Sequence, residues 1–353
     1  METVISVITP CYNGEPFIRD AIRSVLGQNN PAVEMIVVDD GSRDGTAAAC
    51  REFESGQIRC FHIENHGAGY ARNYGLQQAR GRWIAFLDSD DLLLTGCFRR
   101  EMTDWLMGQE DADILRFPKL KTDFCLENPP EVSYPEGDDE IPNHIPRLEF
   151  CTCLFRTAFL REKNIRFFTY RKQDVESAYR YRAFSEARVI RTYRESFFFL
   201  QRDNLSSNTH TWNRYNLYEI KADIYRELAE NTPCPQDRPF LLRTASDCVF
   251  FYYKLCLKHG YPDREGLDRV HEIFAALRDC AKVNGIGMKG DKRYLAARVL
   301  DSARFALRQC RVEEEKKQPQ PLPRAQGLQP ALEKISRQYP MHPWIGETGS
   351  RKI

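Results

Sequence analysis

The sequence has no apolar stretch approaching the ~18 residues that a membrane-spanning helix requires. Its amino terminus enters an apolar strand pattern within about four residues, too few for a secretory leader. It has almost no excess charge: Lys and Arg number 51 against 50 Asp and Glu. No polyanion-binding role is therefore implied, and no basic cluster with interleaved aromatics marks a nucleic-acid partner. It also lacks any CxxC pair. The twelve cysteines are scattered, and Cys151 and Cys153 stand too close for the usual zinc half-site. Reduced thiols and a cytoplasmic location are the simplest reading, with a peripheral place at the inner face of a membrane left open. His259 and His271 are isolated, without ligand spacing.

What the chain does have is a regular alternation of strand and helix signals over its first ~120 residues, the mark of a layered α/β domain. Val4 to Thr9 is a short β-branched run, and Pro16 to Gln28 follows with apolar residues at helical spacing. Glu34 to Asp39 predicts a second strand, followed by a helix over Thr46 to Glu54. Ile58 to Ile63 predicts a third strand, Gly69 to Ala79 a helix, and Trp83 to Asp88 a fourth strand. In a parallel sheet such strands are buried on both faces, so charges at their carboxyl ends sit at the rim where ligands of open α/β sheets bind.

Acids close two of these strands. Asp39 and Asp40 end the second. The fourth runs directly into Phe86-Leu87-Asp88-Ser89-Asp90-Asp91. Three carboxylates within four positions can hold a hard cation such as Mg²⁺ or Mn²⁺, which pairs one or two protein carboxylates with substrate phosphates, here those of a nucleoside diphosphate. A solvated acidic loop is the bland alternative. At Thr9-Pro10-Cys11-Tyr12-Asn13-Gly14, Pro removes a backbone donor and Gly permits unusual dihedrals, so the first strand must stop and turn. Tyr12 then has a flat face available for a base. The run Gly67-Ala68-Gly69-Tyr70-Ala71-Arg72 imitates a dinucleotide fingerprint, but Arg72 occupies the third glycine position and the run follows the third strand rather than the first, which argues against a dehydrogenase.

The ordered segments ITPCYNGEPFI, VVDDGSRDGT, GAGYARNYGLQQARG and WIAFLDSDD closely resemble the nucleotide-sugar-binding half of glycosyltransferase family 2, densely over residues 4 to 95. The resemblance implies an α/β, Rossmann-like, A-type glycosyltransferase fold with a mainly parallel sheet, followed here by a helical C-terminal region. It implies that Pro10, Cys11 and Tyr12 line the nucleobase pocket and that Asp40 accepts the imide N–H of uracil, while Asp39 caps the following turn. Arg72 is expected to face phosphate or ribose oxygens. Asp88 is assigned to ribose and metal, Asp90 to metal, and Asp91 to a helix cap or a supporting role. Further on, the segment from Cys151 to Phe167 is similar to the stretch that precedes the family's Glu-Asp motif. This aligns Asp174 with the catalytic base, with Gln173 in place of the usual Glu and Glu176 as the reserve candidate. A neutral Gln removes a like charge that would help raise the base's pKa. Arg202 and Ser206 are loose candidates for diphosphate contacts, with a plain surface loop as their alternative.

The implied activity is that of a metal-dependent (Mn²⁺ or Mg²⁺), inverting glycosyltransferase. It would move a sugar from a nucleoside diphosphate, a UDP-sugar foremost, to a hydroxyl of a glycan or lipid-linked acceptor in cell-surface polysaccharide synthesis. A non-catalytic nucleotide-sugar-binding protein is the alternative that Gln173 motivates. A nucleotidyltransferase is a weaker one, because Asn13-Gly14-Glu15-Pro16 is acidic where a triphosphate needs a basic loop.

Residues 1–210 are thus expected to form the glycosyltransferase domain, with 1–95 binding the nucleotide sugar and 96–210 serving acceptor and catalysis. Residues 211–310 read as a helical appendage, with helices over Tyr215 to Ala229, Pro239 to Lys258, Gly266 to Val283 and Lys292 to Gln309. In the second of these, Phe250, Phe251, Tyr252, Tyr253, Leu255 and Leu257 make an aromatic-rich face, read as buried, with an acceptor or a membrane surface as alternatives. Residues 311–353 are Pro-, Gln- and charge-rich and read as a flexible tail with one short helix over Ala331 to Gln338.

Overall fold

The computed structural model describes residues 2–133, 150–169, 175–204, 214–232, 235–259, 264–283, 328–339, 341 and 347–352. The chain divides into two units. One comprises Met1–Asn204 with Pro321–Ile353, the other Leu205–Gln320.

The first unit is built on the strands β1 (Ile5–Cys11), β2 (Val33–Asp40), β3 (Ile58–Ile63) and β4 (Trp83–Phe86), joined by the helices α1 (Ile18–Leu26), α2 (Thr46–Arg51) and α3 (Ala68–Gln78). β1, β2 and β4 are buried at every position, as expected of parallel strands covered on both faces. β1 pairs in parallel with both β2 and β4, and β2 with β3. Their carboxyl ends therefore share one rim.

Beyond β4 the chain adds β5 (Leu92–Leu93), α4 (Arg100–Met107), β6 (Ile114–Arg116), β7 (Lys119–Asp123), β8 (Glu131–Ser133), β9 (Cys153–Arg156), α5 (Thr157–Glu162), α6 (Val175–Glu186), β10 (Val189–Tyr193) and β11 (Phe199–Asp203). With β12 (Glu347–Lys352) these complete an eight-stranded sheet of order β12-β10-β6-β9-β4-β1-β2-β3 and a four-stranded sheet of order β5-β11-β7-β8. β9 runs antiparallel to its neighbours β4 and β6.

An aromatic cluster fixes the end of β4 against α6. Phe86 makes edge contacts with Phe150, Phe155, Phe167 and Tyr179. Phe167 stacks flat on Tyr179, with ring centroids 4.0 Å apart. Such pairs add about 0.5–1.5 kcal/mol each beyond the area they bury. Tyr179 lies three residues beyond Glu176 on the same helix, so this packing also sets where Glu176 stands.

The last segment departs from the flexible tail expected over 311–353. Helix α7 (Leu328–Gln338) buries Leu332 and Ile335, Met341 is buried beyond it, and Tyr339 packs against Phe197 with ring centroids 5.3 Å apart. Ser336 Oγ accepts the Thr95 backbone N–H at 2.8 Å. β12 then pairs antiparallel with β10. A few well-placed apolar residues dock this helix despite the polar composition around it.

The second unit contains the helices α8 (Arg214–Asn231), α9 (Arg238–His259) and α10 (Arg264–Val283). Ile224, Leu241, Val249, Tyr252 and Leu277 are buried there. Tyr252 thus bears out the buried reading of its face, while the other side chains of that face and the helix expected over Lys292 to Gln309 lie outside the described residues. No helix among the described residues is long and apolar enough to cross a membrane.

Candidate active site

The site forms where the loops after β1, β2, β3 and β4 meet. Pro10 and Cys11, the buried last residues of β1, are followed by Tyr12, which emerges, 49% exposed, at the lip. Asn13 follows at φ 50. Gly14 is required on steric grounds, because a Cβ there would lie 2.4 Å from Cys11 Sγ. This loop is fastened to the one after β2: Asn13 N–H donates to Ser42 Oγ (2.8 Å), Arg43 N–H to Asn13 Oδ1 (2.9 Å), Gly14 N–H to Thr46 Oγ1 (2.8 Å) and Gly45 N–H to Glu15 Oε2 (2.9 Å). The Tyr12 ring therefore stands on a braced turn. Burial pushes the Cys11 thiol up to about 12, so it stays a neutral packing group.

The two acids of β2 divide their work. Asp39 Oδ1 accepts the Ser42 N–H at 3.0 Å, the turn-capping role expected of it, and its Oδ2 lies 2.8 Å from His62 Nδ1. Asp40 is buried and accepts the N–H groups of His66 (2.9 Å) and Gly67 (2.8 Å), one on each carboxylate oxygen. It therefore anchors the entry to α3, and each oxygen retains a lone pair. Burial raises its pKa even against those two donors. Neither the His62 contact nor this anchoring could be read from the sequence, since each joins groups more than twenty residues apart that only the folded sheet brings together.

Arg72 is the centre of the site. Its side chain is 5% exposed, and one guanidinium nitrogen lies 2.8 Å from Asp88 Oδ1 and 3.5 Å from Glu176 Oε1. Its guanidinium carbon sits 4.8 Å from the Phe150 ring centroid and 5.4 Å from that of Phe167. Burial alone would lower its pKa, but Asp88 and Glu176 outweigh that and raise it. The cation is permanent and rigidly placed.

The acidic loop leaves β4 beside it. Asp88 has a side chain 35% exposed and held by Arg72. Asp90 Oδ2 accepts from Asn204 Nδ2 at 2.8 Å. Asp91 is buried and accepts the Arg202 backbone N–H at 2.9 Å; β5 rather than a helix follows it, so of its two expected roles it takes the supporting one. Burial and the charge of Asp88 raise the pKa of Asp90; burial and the charges of Asp90 and Asp88 raise that of Asp91.

Arg202 lies beneath this loop. Its Nε donates to the Asp90 carbonyl at 2.5 Å, another nitrogen reaches Asp20 at 3.4 Å, and its guanidinium lies 4.6 Å from the Phe124 ring centroid. Its side chain has no exposed surface. Where a diphosphate contact was expected, this arginine braces the acidic turn from inside. Asn204 is a neighbour the sequence did not single out. Asp174, Gln173 and Ser206 lie outside the described residues; Glu176, near the start of α6, is brought to Arg72.

Asp88 and Asp90 fit a hard cation. They are two carboxylates at a strand end, one of them partly open, and their mutual repulsion registers on Asp90. Among the described residues no three acidic, His or Cys side chains converge on a common centre. A cation here would take its other ligands from a diphosphate and water.

This α/β sheet, with an acidic loop and a buried arginine at its carboxyl rim, has the architecture of nucleotide-sugar transferases. Residues 6–162 match the sequence model of the family described as Glycosyl transferase family 2. It is 48% identical over 91 residues to a Bacillus subtilis protein named as a teichuronic acid biosynthesis glycosyltransferase, TuaG, covering 25% of this chain and 36% of that one. It is 29% identical over 221 residues to the uncharacterized glycosyltransferase EpsJ of B. subtilis, covering 59% of this chain and 64% of that one. The chain thus spans about a third of the length of the first relative and just under two thirds of the second. Among solved structures, S. aureus TarS 1-349 shares the fold, with a TM-score of 0.60 at 19% identity, over 91% of this chain and all of that one. A structure of the same protein in complex with UDP-GlcNAc matches with a TM-score of 0.50 at 18% identity, over 81% of this chain and 93% of that one.

Proposed function

We propose that this chain transfers a sugar from a nucleoside diphosphate, a UDP-sugar foremost, to a hydroxyl of a glycan or lipid-linked acceptor, with inversion at the anomeric carbon. The observation that carries this reading is the buried Arg72 guanidinium, held between Asp88 and Glu176 on an aromatic floor at the end of β4. A fixed cation there stabilises negative charge that develops on a departing diphosphate. Tyr12 offers its exposed face to the nucleobase, and the lone pairs left on Asp40 accept its imide N–H. Asp88 and Asp90 would hold a Mn²⁺ or Mg²⁺ ion, which when bound offsets diphosphate charge as a Lewis acid.

Inversion needs a base on the face opposite the leaving group to take the acceptor proton. Asp174 is our assignment, and Glu176, close by in sequence, supports the orientation of Arg72. A UDP-sugar donor is supported by the TarS fold, which accommodates UDP-GlcNAc in that protein. The cell-surface polysaccharide setting is supported by the name that TuaG bears.

A thermal-shift screen of UDP-, GDP- and dTDP-sugars with and without Mn²⁺ tests the reading, since a ligand of the native state stabilises it by mass action. We expect Mn²⁺-dependent stabilisation by a UDP-sugar and slow release of UDP from it. Stabilisation by none of the three classes would overturn the donor assignment; binding without hydrolysis or transfer would favour a non-catalytic binding protein.

A further inference from the structure

A cavity of about 530 Å³ opens at the end of the sheet opposite the candidate active site. Trp83, the first residue of β4, lines it. Asp88 lies five residues further along the same chain direction, roughly 16 Å away at strand rise. The volume falls within the range of small-molecule sites.

Trp83 and Leu106 close its inner end but are themselves buried, Met107 and Ala158 supply its accessible apolar lining, and Arg80, Arg82, Arg156, Arg161 and Glu110 carry its charge. The walls are fixed by bonds between segments distant in sequence. Thr157 Oγ1 donates to the Gly81 carbonyl at 2.6 Å, Thr157 N–H to the Arg82 carbonyl at 2.8 Å, and Arg161 to the Ala79 carbonyl at 2.9 Å. Two arginines are already neutralised: Arg82 pairs with Glu2 and Glu110, both at 2.9 Å, and Arg156 pairs with Asp113. Among the described residues, no carboxylate lies within ion-pair distance of Arg80 or Arg161.

We propose that this cavity is a second binding site, taking a phosphate monoester whose apolar body lies against Met107 and Ala158. Two guanidiniums without carboxylate partners match a dianionic phosphate in charge, and a guanidinium's planar fork is suited to phosphate oxygens. The donor site does not require this cavity, and nothing in the sugar transfer proposed above assigns it a role. The same chemistry could arrive as a soluble phosphate ester or as a phospholipid headgroup.

The test is calorimetric titration of the full chain, with UDP and Mn²⁺ kept saturating so that the donor site is closed to the probe. We expect 1-naphthyl phosphate to bind at one site and 1-naphthol not to bind. Arg80→Glu, at an exposed side chain with no ion-pair partner, should weaken binding at least tenfold while UDP affinity is unchanged, and Arg80→Lys should restore part of it. Sedimentation with phosphatidylcholine vesicles, with and without phosphatidic acid, separates the sources: co-sedimentation with phosphatidic acid that Arg80→Glu abolishes assigns the headgroup, and its absence alongside naphthyl phosphate binding assigns a soluble ester. No binding of either phosphate, or naphthyl phosphate binding that Arg80→Glu leaves intact, overturns the site. A separate titration of the same protein with UDP and Mn²⁺, run first, reads the donor site by itself, so a failed donor reading would appear separately.

Discussion

Glu176 reaches Arg72 at 3.5 Å, and Asp174 precedes it by two residues in the chain. A carboxylate engaged with a buried guanidinium is a poor proton acceptor, because the ion pair favours its charged form. Asp174→Asn should therefore lower transfer by about 10²–10⁴-fold with UDP affinity kept, the cost of losing a general base. Glu176→Gln should lower it far less. Steady-state rates alongside UDP titrations decide this, and transfer that survives Asp174→Asn but not Glu176→Gln would move the base to Glu176. At Asp90, Asn substitution keeps an acceptor for the Asn204 amide but contributes no charge to a cation. UDP affinity should then lose its dependence on Mn²⁺; equal dependence in both proteins would remove Asp90 from the metal site.

Among the elements, the turn that ends β7 gives a clean pH dependence. Asp123 accepts N–H groups from Asn128 (2.6 Å), Cys125 (2.9 Å) and Glu127 (3.1 Å). Burial works against its charged form, but these donors outweigh it and hold its pKa below the usual carboxylate range. A depressed folded pKa contributes stability that is present above the unfolded value, about 3.9, and is lost as pH falls through the folded one. Urea unfolding at pH 5 and pH 3 should show a smaller loss on acidification in Asp123→Asn than in the parent, and identical losses would remove the turn from the acid limb.

Most of the rim was legible at this scale. Met35 to Val38 and Trp83 to Leu87 are continuous apolar runs, and Val4 to Ile8 is one interrupted only by Ser6; each ends in turn or acidic residues, a pattern a buried parallel strand almost dictates. β12 was invisible, because Glu-Thr-Gly-Ser-Arg-Lys contains no apolar residue and thus no alternation; only its partner β10 defines it. Within the site the acids and Arg72 were legible as residues, but their pairings were not. Arg202 illustrates why: a surface phosphate contact and a buried brace for Asp90 look identical in sequence, and burial alone separates them.

For the whole molecule, the return of the chain after Pro321 matters more than composition suggests. Leu332, Ile335 and Met341 are buried in the first unit's core, each contributing about 1.5–3 kcal/mol. Against a typical total of about 5–15 kcal/mol this is a large share. Ending the chain before Leu328 should lower the melting temperature by more than about 5 °C, measured by differential scanning calorimetry, and an unchanged melting temperature would show that this docking contributes nothing.

The place of β12 also bears on how the protein is born. Its sheet partner β10 ends at Tyr193, yet the strand itself begins at Glu347, on the far side of a unit running from Leu205 to Gln320. At about 5–20 residues per second a ribosome spends on the order of ten seconds on that intervening unit. For that interval the nascent first unit carries β10 as an unpaired edge, with a row of free backbone donors and acceptors. Vectorial synthesis therefore makes the sheet's completion a late event, and the exposed edge, rather than the donor-binding rim, is the point at which a nascent chain invites chaperones or its own neighbours on a polysome.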